Sequence, residues 1–242
     1  ATTPEEAAAF VERIYKEKTD LIKLMITGGV MDAEVVGEPG VLRMQPKLVK
    51  SACDKAHSLG MTVAAHVESP QGVLVALQNG VDSIEHGAMP NDEIIRLFKE
   101  KNAYQVSTIS PALPYALFDR SISHATYEQQ ENGKVVFDGI VALAKACLEN
   151  GIPVGLGTDT GCPYITHYDM WRELCYFVKY CGVTPAFALY SATLLNAKLA
   201  KIDDITGSIE AGKAADMIDL VLLKKQNKLF GFFVCGFFGS FV

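Results

Sequence analysis

The stretch MTVAAHVESPQGVLVALQNGVDSIEHG, residues 61–87, decides the fold. Residues 61–68 are an apolar run of strand length, and residues 81–87 are a second one. Between them, Ser69 and Pro70 mark the start of a helix that Gly80 ends. A strand, a helix and a strand in direct succession predict two parallel strands joined by a crossover helix.

The same alternation continues on both sides of this unit. Further strands are predicted at 20–27, 103–110 and 152–159, and further helices at 4–18, 46–58, 92–101, 133–149, 168–180 and 184–200. A polar loop with Pro111 and Pro114 is expected after residue 110. This pattern predicts an α/β fold with a parallel sheet covered by helices. The chain supplies about five strand–helix units and a complete barrel has eight, so an open doubly wound sheet and a barrel without its first strands both fit.

Composition and charge narrow the class of partner. The chain has 242 residues, 49% of them hydrophobic, and a formal net charge of −6. Such a mildly acidic chain has no general attraction to nucleic acid or to an anionic membrane. The expected partner is a small-molecule substrate. The six cysteines are scattered without a CxxC pair, which indicates reduced thiols and a cytoplasmic location. The apolar stretch LFGFFVCGFFGSFV (229–242) is too short and too interrupted by glycine to span a bilayer.

Ionisable residues lie at the carboxyl ends of four predicted strands: Lys23, His66, His86 and Asp159. In a barrel these ends form the active-site face, so side chains that are distant in sequence converge there. Two histidines and an aspartate are typical ligands of a catalytic zinc or a similar divalent ion. Such an ion activates a bound water, and a neighbouring carboxylate can carry the proton.

Lys23 needs a separate explanation, because a protonated lysine would repel a metal ion. In an apolar strand its amine can lose the proton. The neutral amine can then add carbon dioxide and become a carbamate that bridges two ions. Each residue also has a structural interpretation: a hydrogen-bonded core histidine, a turn-capping aspartate or a surface lysine. Their shared position at strand ends favours the site.

Two further residues are candidates for substrate binding. Arg43 could pair with a substrate carboxylate, although a surface role is the simpler interpretation. His167 follows Asp159 closely and could line the pocket, although a loop-structural role is the simpler one. The loop of residues 28–44 follows the first predicted strand, where it could cover the pocket.

Five segments, in this order, resemble the amidohydrolase superfamily: DLIKLMITGGV (20–30), VAAHVESPQGVLVALQNGVDSIEHG (63–87), IPVGLGTDTG (152–161), TPAFALYSATLLNAKLA (184–200) and GSIEAGKAADMI (207–218). The similarity is greatest to the branch with imidazolonepropionase-like, prolidase-like and arginine-carboxypeptidase-like proteins. A single motif such as GTD would be weak, whereas five in the family's order are specific.

The resemblance implies a role for each residue. Lys23 matches the strand-four lysine that is carboxylated in many members and bridges two metal ions. His66 and His86 match the strand-five and strand-six ligands of the second metal. Asp159 matches the strand-eight aspartate, which binds the first metal and shuttles the proton. One or two divalent ions, with zinc favoured, and a carbamate on Lys23 are therefore the expected cofactors.

The resemblance also implies a (β/α)8 TIM-like barrel beside a small β domain. Residues 1–205 would form an incomplete barrel with strands four to eight. Residues 206–242 would return to the small β domain, with an atypical sequence after about residue 218. The family's HxH motif on strand one does not occur in this sequence.

The predicted function is metal-dependent hydrolysis of carbon–nitrogen bonds, in particular amide or peptide bonds of dipeptide-like or N-acyl amino-acid substrates. Metal-activated water would attack the carbonyl, and Asp159 would pass the proton to the leaving nitrogen. One alternative is hydrolysis of a cyclic amide, against which Lys23 argues, because those relatives generally lack the lysine. Another is a non-catalytic piece that needs a partner to complete its site. Whether copies assemble into a homo-oligomer is left open.

Overall fold

The computed structural model describes residues 1–216, 219–225 and 228–235. Its main feature is a sheet of five parallel strands in sequence order: β1 (Leu21–Met25), β2 (Thr62–Val67), β3 (Ser83–His86), β4 (Tyr104–Ser107) and β5 (Val154–Leu156). A doubly wound sheet reverses its strand order part-way, whereas a barrel adds each new strand on the same side. The unbroken order therefore favours the barrel of the two predicted alternatives.

Helices lie in the connections between these strands. They are α1 (Pro4–Lys16), α2 (Pro46–Ser58), α3 (Pro70–Gln78), α4 (Asp92–Lys101), α5 (Ile109–Leu117), α6 (Arg120–Ser123), α7 (Tyr127–Glu149), α8 (Met170–Cys181), α9 (Pro185–Tyr190), a π-helical turn (Ser191–Leu195) and α10 (Asn196–Leu199). The start of α3 at Ser69 and Pro70 is confirmed. The side chains of Ser69, Thr3, Asn91 and Thr184 each accept a bond from a backbone N–H in the first turn of their helix.

The prediction is wrong between β4 and α7. The strand ends at Ser107, α5 occupies the expected polar loop, and α7 begins at Tyr127 instead of near residue 133. Pro111 lies in the first turn of α5, where its missing N–H leaves no helical bond unmade. Pro114 lies inside the helix, which ends three residues later.

A distant residue stabilises α5. Glu173 of α8 is fully buried, and its carboxylate accepts bonds from the N–H groups of Ile109 and Ser110 at 2.8 and 2.7 Å and from the Ser110 hydroxyl at 2.5 Å. These are N–H groups of the first helical turn, which have no partner inside the helix. The carboxylate also lies at the positive end of the helix dipole. Because Glu173 is more than sixty residues away, no local sequence signal predicts this cap.

The two faces of the sheet differ. One row of paired residues is buried beneath the helices: Leu24, Ala65, Ile84, Gln105 and Val154. The adjacent row, Met25, His66, Glu85 and Val106, faces the other way, because successive residues of a strand alternate between faces. Met25 is 57% exposed. This second face therefore remains open near β1, and it carries Lys23, His66 and Glu85.

The C-terminal segment contains an antiparallel strand pair, β6 (Asp219–Lys225) and β7 (Lys228–Cys235). The predicted division into residues 1–205 and 206–242 stays a prediction. Much of the stretch 229–242 lies outside the described residues. Within the described part of the chain, no helix has the length and apolar character needed to cross a bilayer.

Candidate metal centre

The strand register brings Lys23 and His66 to the same face of the sheet. Lys23 pairs with Ala64 of β2, and His66, two residues further along β2, pairs with Met25 of β1 and with Glu85 of β3. Two residues along a strand return to the same face. Lys23, His66 and Glu85 therefore lie close together on the open face, as the sequence predicts for the first two.

His86 reaches the same place by a different route. It is the last residue of β3, and its alternation would turn its side chain towards the helices. Its backbone has a φ of 65°, however, a left-handed conformation that few non-glycine residues adopt. Its ring packs edge-on against that of His66, with 4.7 Å between centroids. Gln105 stabilises this geometry, since its side-chain N–H donates to the His86 carbonyl at 2.9 Å.

One nitrogen of each histidine is already bonded within the protein. His66 Nε2 lies 3.2 Å from the Gly28 carbonyl oxygen, and His86 Nδ1 lies 2.5 Å from Thr108 Oγ1. A carbonyl only accepts, so His66 Nε2 carries the proton and Nδ1 keeps its lone pair. With His86 Nδ1 bonded to the hydroxyl, its Nε2 remains as the second ligating atom. Metal-binding histidines are generally oriented in this way by a partner on the other nitrogen.

Glu68 is a candidate metal ligand that the sequence prediction missed. His66, Glu68 and His86 each offer a ligand atom, and these atoms all lie within 4.8 Å of one another. Glu68 accepts a bond from the Val30 N–H at 3.1 Å, and its own N–H donates to Thr27 Oγ1 at 3.0 Å. The spacing H-x-E could have indicated it, because residues 66 and 68 share a face at the strand end.

The chemistry of this cluster fits a divalent ion such as zinc. Burial lowers the pKa of His66, and burial together with His66 holds the pKa of His86 well below its ordinary value. Both imidazoles are therefore neutral, which is the form that binds metal. Burial also raises the pKa of Glu68 to about 8, and a bound cation would reverse that effect. Two neutral imidazoles and a carboxylate form a common zinc ligand set.

Lys23 lies in acidic surroundings. Burial lowers its pKa, while the negative charges of Glu85 and Asp159 oppose that lowering. Lys23 is nonetheless exposed on the open face of the sheet. Burial conversely raises the pKa of Glu85, and Lys23 opposes that rise. The Ser83 hydroxyl donates to Glu85 at 2.8 Å.

Asp159 follows β5 and is exposed, with a left-handed φ of 49°. The Cys162 thiol donates to its Oδ2 at 3.3 Å. It lies outside the three-residue ligand cluster, although its charge affects the pKa of Lys23 and of His66.

The strand before Asp159 is fixed by Asn196, whose side chain pairs with the N–H and the carbonyl of Leu156 at 3.1 and 2.8 Å. A π-helical turn, a feature frequent at functional sites, directly precedes Asn196.

The two predicted substrate-binding residues lie outside this cluster. Arg43 is exposed and forms an ion pair with Asp32 at 3.2 Å, in the loop that follows β1. His167 is exposed in the loop before α8. Their roles in substrate binding therefore remain predictions.

The sequence profile described as "Amidohydrolase family" matches residues 2–235. This match covers nearly the whole chain and agrees with the parallel sheet and with the position of the His66 and His86 cluster at its carboxyl edge. The chain belongs to the amidohydrolase family.

Particular relatives refine this assignment. A crystal structure of a Bifidobacterium longum protein, provisionally assigned as a prolidase, is similar at 39% identity with a TM-score of 0.83, over 89% of this chain and 53% of that one. A crystal structure of a Xaa-Pro dipeptidase with bound methionine is similar at 33% identity with a TM-score of 0.79, over 90% and 52%. Ochratoxinase of Aspergillus niger is 28% identical over 219 residues, which is 89% of this chain and 44% of that protein. The chain thus spans about half the length of these relatives.

Proposed function

We propose that this chain carries part of the active site of a metal-dependent hydrolase of carbon–nitrogen bonds. Its substrates would be amides or peptides of the dipeptide-like or N-acyl amino-acid class. The observation that carries the proposal is the convergence of His66, Glu68 and His86 at the carboxyl edge of the sheet, beside Lys23. The similarity to a Xaa-Pro dipeptidase supports the peptide-like substrate.

The proposed cofactor is one or two divalent ions, with zinc favoured by the ligand types. His66, Glu68 and His86 would hold one ion, and Asp159 together with Lys23 as a carbamate would hold a second. When bound, such ions polarise the substrate carbonyl and activate a water molecule. Carbamate formation needs a neutral Lys23 amine, and the lowered pKa of this side chain favours that form.

Asp159 is the proposed proton carrier. Its carboxylate is exposed to the open face of the sheet, and Cys162 fixes one of its oxygens. A carboxylate in this position can accept the proton of the attacking water and deliver it to the leaving nitrogen. Arg43 is proposed to bind a substrate carboxylate, for which it would have to exchange its partner Asp32. His167 is proposed to line the entrance.

The test is hydrolysis of a panel of Xaa-Pro dipeptides and N-acyl amino acids by the purified chain, with and without added zinc. Wild type is compared with His86→Ala, Asp159→Asn and, as a control, His124→Ala; His124 is exposed at the end of α6. We expect zinc-dependent product release that the first two variants lose and the control keeps. Turnover that survives in His86→Ala would rule out the proposed site.

A further inference from the structure

The loop after β1 forms a strap, defined here as residues 28–42. It leaves the sheet after Thr27 and returns at Leu42, and these two residues form an antiparallel bridge at its base. Between these points Val30 is buried among residues of α5 and α7, including Ile109 and Phe137. The strap starts at β1, the first strand of the sheet, and its Val30 packs against α5, which follows the fourth strand. The strap therefore crosses the carboxyl edge of the sheet.

The strap backbone touches the candidate metal centre directly. The Val30 N–H donates to Glu68 Oε2 at 3.1 Å. A Cβ atom added at Gly29 would lie 2.8 Å from Glu68 Oε2 and 3.3 Å from His66 Nε2. One added at Gly40 would lie 2.4 Å from the Glu68 carbonyl. Glycine is needed where backbone approaches this closely, so the strap is built to lie against Glu68.

Asn132 holds the far end of the strap. This residue of α7 is fully buried, which is costly for a side-chain amide unless its hydrogen bonds are made. Its Oδ1 accepts the Gly37 N–H at 2.6 Å, and its Nδ2 donates to the Val35 carbonyl at 3.2 Å. Both bonds go to strap backbone about a hundred residues away in sequence. The neighbouring side chains Val35 and Val36 are exposed and contribute little burial to this end.

We infer that Asn132 is a positioning residue for the metal centre: it latches the strap over the sheet edge, so that the Val30 N–H orients the Glu68 carboxylate. The expected effect of Asn132 on metal binding rests on the proposed function, whereas its effect on the strap does not. Without the Asn132 bonds, the strap would be held by its base, by Val30 and by the bond from the Tyr115 hydroxyl to Met31 Sδ. Glu68 would then lose the bond that fixes Oε2, and outer partners of this kind typically change metal affinity about 10–100-fold.

The experiment compares wild type with Asn132→Ala, which removes both bonds, and with Asn132→Asp, which keeps the size and the acceptor but cannot donate to Val35. The control is Asn150→Ala. Asn150 lies at the other end of α7 and is exposed, and its side chain bonds to Ala146 of the same helix. Peptide-resolved hydrogen exchange of the strap and zinc affinity by titration are measured on all four proteins, and thermal denaturation confirms that each is folded.

We expect both Asn132 variants to speed exchange in the strap about tenfold or more while α3 and α4 stay protected, and to weaken zinc binding about tenfold. Asn150→Ala should change neither. Strap exchange equal to wild type in both variants would overturn the latch. Faster exchange with unchanged zinc affinity would overturn its positioning role. Failure of wild type to bind zinc would contradict the proposed function instead, and strap exchange would still decide whether Asn132 is the latch.

Discussion

The buried carboxylate of Glu173 should make the stability of this protein depend on pH in an unusual direction. The perturbation is Glu173→Gln, which keeps the shape and removes the titration. In the structure the carboxylate has three donors from Ile109 and Ser110, yet complete burial outweighs them and raises its pKa from 4.5 to about 7. The folded protein therefore holds a proton that the unfolded chain releases.

The sign and size follow from proton linkage. Because the folded pKa is raised, the contribution of Glu173 to stability is fully present below pH 4.5, falls as the pH rises, and is lost above about 7. The interval between pH 4.5 and about 7, at about 1.36 kcal/mol for each pH unit, amounts to about 3 kcal/mol. The Gln variant adds a constant cost of about 1–3 kcal/mol, because its NH2 group cannot accept the Ser110 N–H.

The assay is urea unfolding of wild type and Glu173→Gln at intervals from about pH 4.5 to 8. The free energy of unfolding of wild type minus that of the variant should fall by about 3 kcal/mol across this range. Glu93→Gln, an exposed carboxylate of α4, serves as the control and should show no comparable trend. A difference that stays constant or grows with pH would refute the reasoning, because the donors at the start of α5 would then stabilise the charged form more than burial penalises it.

Two further substitutions test the surroundings of the metal centre. Thr108→Val should weaken zinc binding about 10–100-fold, because it removes the hydroxyl that orients the His86 ring. Thr108→Ser, the control, should retain most of the affinity. Equal zinc affinities of the two variants, measured by titration, would show that the hydroxyl does not orient the ring. Gly72→Ala should destabilise the fold by about 1–3 kcal/mol in urea unfolding, because the new methyl would lie 2.3 Å from Thr27 Cγ2 and 2.7 Å from Val67 Cγ1; a neutral result would mean that the strand end relaxes freely.

Much of the fold could be predicted because its signals are local. Apolar runs of strand length separated by helices identify a parallel sheet, and Ser69, which marks a helix start in the sequence, caps α3 in the structure. The helix α5 could not be predicted in this way, since its first N–H groups depend on Glu173, which is distant in sequence. The local sequence around Pro111 and Pro114 instead predicts a loop.

The arrangement of the candidate site was predictable in part for the same reason. The position of His66 on the open face follows from alternation along β2 and from register. His86 lies beside His66 because its backbone is left-handed, and this conformation cannot be predicted from the sequence. Glu68 shares the face of His66 but belongs to the site through its bond to Val30 in the strap, a tertiary contact across 38 residues.

The most direct test of the central claim is the metal content of the purified chain by mass spectrometry after zinc loading and dialysis, beside a His66→Ala, His86→Ala double variant. The account predicts about one or two zinc ions per chain in wild type and loss of that zinc in the variant. Zinc-free wild type, or a variant that retains the same zinc as wild type, would contradict the assignment of His66, Glu68 and His86 as a metal centre.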